Sequence, residues 1–386
     1  MSPRRPRGVP RGLGAGARRG RDGQPMSIQT SKSSGASDGE VPRPEPLVEV
    51  WRGGVVESRH RGHVVAVDGR GRVVARLGEP EAVTYLRSSA KPHQAVPLVA
   101  SGAADRFRLT PPELAVACGS HSGEPVHEGA VASMLKKTGF DESALRCGTH
   151  EPFSREVASE LRRRGEQPRV LQNNCSGKHA GMLALARHLG APAATYDDPE
   201  NPVQRAIGRT VAQFSGVPPA EIAVGTDGCG VPVFGLPLRA MALMYARLVA
   251  PPAEFDEQTT RACGRLVAAM TEAPEMVGGT RERLDTELMR ATRGRVISKV
   301  GAEGVYTVGV LPCERWPDGL GLALKIEDGE DKRARPTVVI ESLRQLGALD
   351  EEALAALARY AAFTVLNHRG DLVGRVRAHF ELERLA

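Results

Sequence analysis

Arg87-Ser88-Ser89-Ala90-Lys91-Pro92 stands where a Val-rich, turn-punctuated region gives way to a long succession of helical patterns. Pro92 fits the first turn of a helix, because the N–H that proline lacks would have no partner there. The stretch therefore puts Ser88 and Lys91 at a helix start, three residues apart and on one face. A neutral lysine beside a serine hydroxyl can take its proton, and burial or a second cation lowers a lysine pKa enough to neutralise it. The plain alternative is an N-cap serine with a surface lysine, and this stretch by itself does not decide between them.

Before this stretch, Val48–Ser58, His63–Asp68 and Val73–Leu77 are short Val-rich runs separated by Gly/Arg/Asp turns, the pattern of an antiparallel meander. After it, apolar residues spaced by three and four predict helices over Ser89–Ala104, Pro112–Ala117, Val126–Lys137, Ser154–Arg164 and Lys178–Leu189. Further helices are expected at Pro202–Ser215, Pro237–Leu248, Glu257–Ala273 and Thr280–Thr292, with a Gly-rich strand-to-loop region at Ile222–Pro232. Strand patterns return at Val296–Val300, Gly304–Leu311 and Leu320–Ile326. A helix at Ala334–Leu346 and a last stretch at Leu372–Leu382 complete the chain. Strands at both ends with helices between predict an α/β (α+β) fold whose mainly antiparallel sheet is built from both chain ends. The active site is expected between that sheet and the helical region.

The chain has 386 residues, 41% apolar and 25% charged, as in an ordinary soluble globular protein. Its formal charge of +6 suggests an acidic partner until the charge is located. Seven arginines and a single acid lie in residues 1–25, so the entire excess precedes Met26. Residues 1–46 read as a disordered, basic, Gly/Pro/Ser-rich leader, and 47–386 as the catalytic domain. The preferred reading of the leader is a misassigned start, with Met26 or a later residue as the true beginning; a solvated tail comes next. A nucleic-acid arm is disfavoured because no aromatic residues interleave with the arginines to stack on bases. No apolar secretory core follows the arginines and no stretch is apolar enough to span a membrane, so a cytoplasmic location is expected. The six cysteines are widely spaced without a CxxC pair, which is no disulfide framework.

Four more motifs can carry chemistry. Ala117-Cys118-Gly119-Ser120-His121-Ser122-Gly123-Glu124 crowds polar groups into a turn where glycines admit a ligand to the backbone. A helix cap at Ser122 or Glu124 would explain one of those residues. Asn173-Asn174-Cys175-Ser176-Gly177-Lys178-His179-Ala180-Gly181-Met182 places a thiol, an amine and an imidazole at a helix mouth. Gly225-Thr226-Asp227-Gly228-Cys229-Gly230-Val231-Pro232 sets an acid and a thiol in a glycine loop after a strand. Cys175 and Cys229 suit zinc as soft ligands, while buried structural thiols are the default. Ile297-Ser298-Lys299-Val300-Gly301-Ala302-Glu303-Gly304 puts a lysine on a strand before glycines. With the Ser-x-x-Lys it echoes penicillin-recognising serine hydrolases, whose Ser-Asp-Asn element has only Ser120-His121-Ser122 as a local stand-in. Gly278-Gly279-Thr280 reads as a helix cap, and Gly301-Ala302-Glu303-Gly304 lacks the context of a dinucleotide or phosphate loop.

RSSAKP, ACGSHSGE, NCSGKHAGM and GTDGCGVP, in this order and followed by the Lys299 region, resemble the rhizobial-type (class 3) L-asparaginases of the asparaginase II family. The resemblance spans from about Val48 to the C-terminus. It implies a fold like serine β-lactamases and glutaminases, amidohydrolase activity on L-asparagine and a homodimer. It also implies two Ser–Lys pairs facing one pocket, Ser88 with Lys91 and Ser120 with Lys299. A zinc ion would be held by Cys175, Lys178 and Cys229. His121, His179 and Asp227 would orient substrate, and Arg87 would hold a substrate carboxylate or serve the structure. The rivals are a glutaminase or β-lactamase-like serine amidohydrolase, a zinc-centred hydrolase and a non-catalytic binding protein.

Overall fold

The computed structural model describes residues 43–385, so the leader falls outside the described residues except for its last positions. There β1 (Glu45–Arg52) starts two residues before the expected boundary, because Glu45 and Pro46 already pair with Gly62 and Arg61. Val48–Ser58 is two strands: the Gly53-Gly54 turn, with Gly53 at φ +54°, reverses the chain into β2 (Val55–Asp68). β3 (Val73–Leu77) completes the expected meander.

Later strands are β4 (Val83–Tyr85), β5 (Ala223–Thr226), β6 (Pro232–Pro237), β7 (Val296–Val300), β8 (Val305–Val310) and β9 (Leu320–Ile326). β10 (Ala362–Leu366), β11 (Leu372–Ala378) and β12 (Glu383–Arg384) end the chain. Nine strands form the main sheet, with the order β10-β11-β1-β2-β9-β8-β7 and a β3–β12 pair attached at β2. Every pairing is antiparallel, as expected. The two chain ends meet where β2 pairs with β9, from Gly62↔Ile326 to Asp68↔Leu320.

Both faces of this sheet are buried. Val65 and Val67 point into one core with the helical region, while Val64 and Ala66 point into a second core with the helix Ala334–Gln345. Side chains alternate with a period of two, so the continuous apolar run of β2 supplies both cores at once. On the first face the helix Leu238–Val249 lies directly on β9. A Cβ at Gly321 would stand 1.8 Å from the Ala242 carbonyl oxygen, and glycine is what permits that approach.

The helices Pro111–Ala117, Pro125–Thr138, Arg155–Arg164, Ser176–Leu189, Pro202–Ser215, Leu238–Val249, Glu257–Glu272 and Ala334–Gln345 lie within two residues of expectation. Ser89–Ala104 instead is a 3-10 turn (Arg87–Ala90), a helix (Lys91–Ala100) and a short helix (Ala103–Arg106), broken at Gly102 with φ +82°. Thr280–Thr292 shortens to Leu284–Ala291, and residues 278–283 form a loop rather than a cap. In the small sheet β4-β6-β5, β5 falls in the expected strand-to-loop region at Ile222–Pro232, whereas β4 and β6 have no counterpart in the sequence reading, since short strands beside glycine and proline show no usable alternation. Among the described residues no helix is long and apolar enough to cross a membrane.

Candidate active site

Lys299 lies on β7 two residues after Ile297, whose side chain enters the core shared with the helices. The period of two thus aims Lys299 at the helical region. Its amine, fully buried, meets Ser120 Oγ at 3.0 Å and the Val300 carbonyl at 3.0 Å. Lys91, also fully buried in the first turn of its helix, meets the same Ser120 Oγ at 2.9 Å and the carbonyls of Gly119 and Asn174 at 2.7 and 3.1 Å. One hydroxyl therefore faces two lysine amines. The surface-lysine alternative for Ser-x-x-Lys does not hold, because Lys91 has no exposure at all.

Ser120 is held by its backbone N–H, which donates to the Val277 carbonyl at 2.8 Å. A Cβ at Gly119 would come within 2.6 Å of the Met276 carbonyl oxygen, so this turn seats Ser120 only with glycine before it. Ser88 lines a cavity of about 390 Å³ together with Ser120, Phe153, Asn174, Arg283, Asp331, Lys332 and Arg335. Lys91 bonds Ser120 rather than the Ser88 side chain, whose hydroxyl makes no hydrogen bond within the described residues. The residue before it, Arg87, sits at φ +50°, a left-handed conformation that costs a non-glycine residue about 1–2 kcal/mol.

Electrostatics prepare the two amines for proton transfer. Burial pushes Lys299 down to about 7; Asp285 resists the shift, and the Lys91 and Arg283 charges reinforce it. Burial also lowers Lys91, with Cys175 opposing and Lys178 adding to the fall. A desolvated amine among other cations loses its proton readily, which is the condition for accepting one from serine.

Lys91 is also coupled electrostatically to the thiols, Cys175 favouring its charge. Interaction with Cys229, together with the Lys91 and Lys178 charges, holds Cys175 well below an ordinary thiol despite burial. The same interaction and burial hold Cys229 above it, so the pair gives up one proton easily and the second reluctantly. Lys178 Nζ lies 2.9 Å from Cys229 Sγ. Burial works against its charge, yet Cys175, Cys229 and Asp227 keep it above the ordinary lysine value. Among the described residues no three His, Cys, Asp or Glu side chains group as a metal site. The Lys178 amine in contact with the Cys229 thiol, electrostatic coupling of both to Cys175, and Asp227 Oδ2 3.8 Å from Cys229 Sγ nevertheless make a donor set that fits zinc once the amine is deprotonated.

Asp227 and Arg87 are brought together: Arg87 Nε donates to Asp227 Oδ1 at 2.9 Å, with Glu303 a further 3.9 Å contact of Arg87. Burial opposes the Asp227 charge, but Lys178, the Gly228 N–H and Arg87 lower its pKa overall. His179 Nδ1 pairs with the Tyr196 hydroxyl at 2.6 Å, and its Nε2 is buried without a hydrogen-bond partner. His121, like Arg87, His179 and Asp227, lies outside the cavity lining; its Nδ1 accepts from Gly123 N–H, Nε2 donates to Ser176 Oγ at 2.9 Å, and the ring stacks on His127. That arrangement braces the turn after Ser120. Burial keeps both His121 and His179 well below the ordinary histidine value, hence neutral.

The sequence reading missed Arg283, Asn174, Asp331, Lys332 and Arg335. Arg283 donates to the Ser120 carbonyl at 2.8 Å, to Ser122 Oγ at 2.9 Å and to the Gly278 carbonyl at 2.8 Å, locking the 278–283 loop to the Ser120 turn. Its signal was the arginine after Gly278-Gly279, read as part of a helix. Arg335 sits at a helix start remote from every motif, and nothing in its neighbourhood marks it.

Among curated proteins none matches this chain. Three solved structures are distantly similar. A probable glutaminase from Bacillus subtilis complexed with 6-diazo-5-oxo-L-norleucine has 13% identity, with 75% of this chain and 85% of that chain covered and a TM-score of 0.34. Mglu in its native form has 14% identity, 76% and 66% coverage and a TM-score of 0.40. A β-lactamase from Burkholderia ambifaria has 15% identity, 78% and 93% coverage and a TM-score of 0.33. At such scores the fold statement rests on the strand order above. The sequence pattern of the family described as L-asparaginase II matches residues 48–378, nearly the whole described chain. The chain therefore belongs to the L-asparaginase II family and is an amide hydrolase.

Proposed function

We propose that the protein hydrolyses the side-chain amide of L-asparagine to L-aspartate and ammonia through an acyl-enzyme. The observation that carries this reading is the convergence of two buried lysine amines on Ser120 Oγ, in a cavity that Ser88 also lines. Ser88, whose hydroxyl makes no hydrogen bond among the described residues, attacks the amide carbon. Its proton passes through Ser120 to Lys299 or Lys91 and then to the nitrogen that leaves as ammonia. Water enters by the reverse route and cleaves the ester, freeing aspartate and restoring Ser88. Proton transfer by positioned groups of this kind is worth about 10²–10⁴-fold in rate.

The contact of both lysines with Ser120 favours a second reading, in which Ser120 attacks and Ser88 relays. Peptide mapping after inactivation with a diazo-ketone analogue of asparagine separates the two: the label falls on Ser88 in the first and on Ser120 in the second. Cys175, Cys229 and Lys178 would hold zinc, which would supply a fixed positive charge for orienting substrate. Arg87, His179 and Asp227 orient substrate beside that charge, and His121 acts on it only by bracing the Ser120 turn. A homodimer is part of this reading, checked by light scattering in solution, as is a cytoplasmic location, for which the absence of any disulfide among the described cysteines is the support.

The deciding measurement is ammonia release from L-asparagine and L-glutamine, with penicillin hydrolysis assayed in parallel, on wild type, Ser88→Ala and Lys91→Ala. Turnover of L-asparagine that both variants abolish is the expected result. Full activity in both variants would overturn the Ser–Lys account and leave a zinc-centred hydrolase at Cys175 and Cys229. Preference for L-glutamine or penicillin would overturn the substrate.

A further inference from the structure

Asp285 is 2% exposed in the first turn of the helix Leu284–Ala291, and among the described residues neither of its carboxylate oxygens receives a hydrogen bond. The Tyr306 hydroxyl beside it donates instead to Ser298 Oγ at 3.2 Å. A buried carboxylate without partners is costly, and such groups persist where a charge is there to meet them. The nearest cation is Lys299, whose Nζ is 3.7 Å from Asp285 Oδ2 with both side chains sealed from water.

We propose that Asp285 is a positioning residue for the reaction: it stabilises the ammonium that forms when Lys299 takes the serine proton. This rests on the reading of Lys299 as a proton acceptor. A movement of under about 1 Å turns the 3.7 Å ion pair into a charge-assisted hydrogen bond, so Asp285 accepts from the newly charged amine without rearranging the site. The remaining groups facing Lys299 are Lys91 from the helix Lys91–Ala100, Arg283 from the 278–283 loop, Cys118 at the end of Pro111–Ala117 and Cys175 before Ser176–Leu189. Lys91 and Arg283 repel a charge on Lys299, and burial leaves Cys118 protonated. Tyr245 and Tyr306 face Asp285 from the helix Leu238–Val249 and from β8, and burial keeps both protonated. Asp285 thus offsets two cations and keeps Lys299 basic enough to act.

The test is a pH titration of the whole protein carrying [ε-13C]lysine, with the Lys299 resonance assigned by its loss in Lys299→Met. Asp285→Asn should lower the Lys299 midpoint by about one to three pH units, the shift that an opposite charge at this range produces, and Asp285→Glu should restore most of it. In parallel, the acid limb of kcat/KM should move to lower pH in Asp285→Asn while KM changes little. An unmoved Lys299 midpoint in folded Asp285→Asn would overturn the inference and leave Asp285 a structural residue. Should that variant not fold, Asp285→Ser removes the same charge with less bulk and carries the same expectation. The proton-acceptor reading fails separately, if Lys299→Met retains wild-type amidase activity.

Discussion

Lowering the pH from 8 to 6 is the simplest perturbation of the proposed chemistry. With Lys299 near 7, its neutral fraction falls from about 0.9 to about 0.1 over that range, so kcat/KM should fall roughly tenfold with a limiting slope of one. A slope of two would mean that Lys91 must be neutral as well. Neither His121 nor His179 produces this limb: burial places both well below the histidine range, so both stay neutral throughout. Stability moves in the same direction. The Lys299 pKa is lowered on folding, from 10.5 to about 7, so between those values the unfolded chain binds the extra proton and this group's contribution to stability rises with pH. Below about 7 both states are charged and the whole cost, of order 5 kcal/mol, is borne by the fold. Acid inactivation by unfolding must therefore be separated from loss of the base. Ammonia release would be followed from pH 5.5 to 9 with far-UV circular dichroism at each point, and samples held at pH 6 would be returned to pH 8. Full recovery together with an acid limb near 7 is expected. A flat profile between pH 6 and 8 in folded enzyme would refute the assignment of Lys299 as proton acceptor.

Removing metal with a chelator should raise KM for L-asparagine more than it lowers kcat, with zinc content measured on the same samples; a kcat that collapses at unchanged KM would contradict an orienting role. Gly177→Ala would put a Cβ 2.4 Å from the Val116 carbonyl oxygen, forcing the helix that carries Lys178 outward. Overpacking of this kind costs about 1–3 kcal/mol, so thermal denaturation should show a Tm lower by several degrees and equilibrium dialysis a weaker grip on zinc. Asp227→Asn removes the partner of Arg87 and should raise KM about tenfold or more with a smaller change in kcat, measured by steady-state kinetics; an unchanged KM would place both residues outside substrate binding.

Most of the framework was legible because burial leaves a periodic trace. Eight helices lay within two residues of their 3.6-residue patterns, and the run from His63 to Asp68 marked a strand that proves buried on both faces. The trace failed where a segment is short or bent: β4 and β6 are too brief to alternate, and Gly53 and Gly102 divide runs that read as continuous. The site divides in the same way. Ser88, Lys91, Ser120, Cys175, Lys178 and Cys229 sit in dense polar motifs framed by glycine, which announce themselves. Arg283, Asp285 and Arg335 stand at helix starts outside every glycine-framed motif, where a single charged residue carries no signal of its own.

The sequence by itself determined the residue types of the chemistry, the antiparallel character of the sheet and the family, since motifs and periodicities are local and survive without coordinates. Only the tertiary structure decided the partnerships. Lys91 belongs to Ser120 rather than to the serine three residues away, because a helix at residue 91, a turn at 119 and a strand at 299 converge on one point. Asp285 meets Lys299 for the same reason. Burial there removes the water that would otherwise keep each lysine charged, and no property of the residues taken singly contains that desolvation.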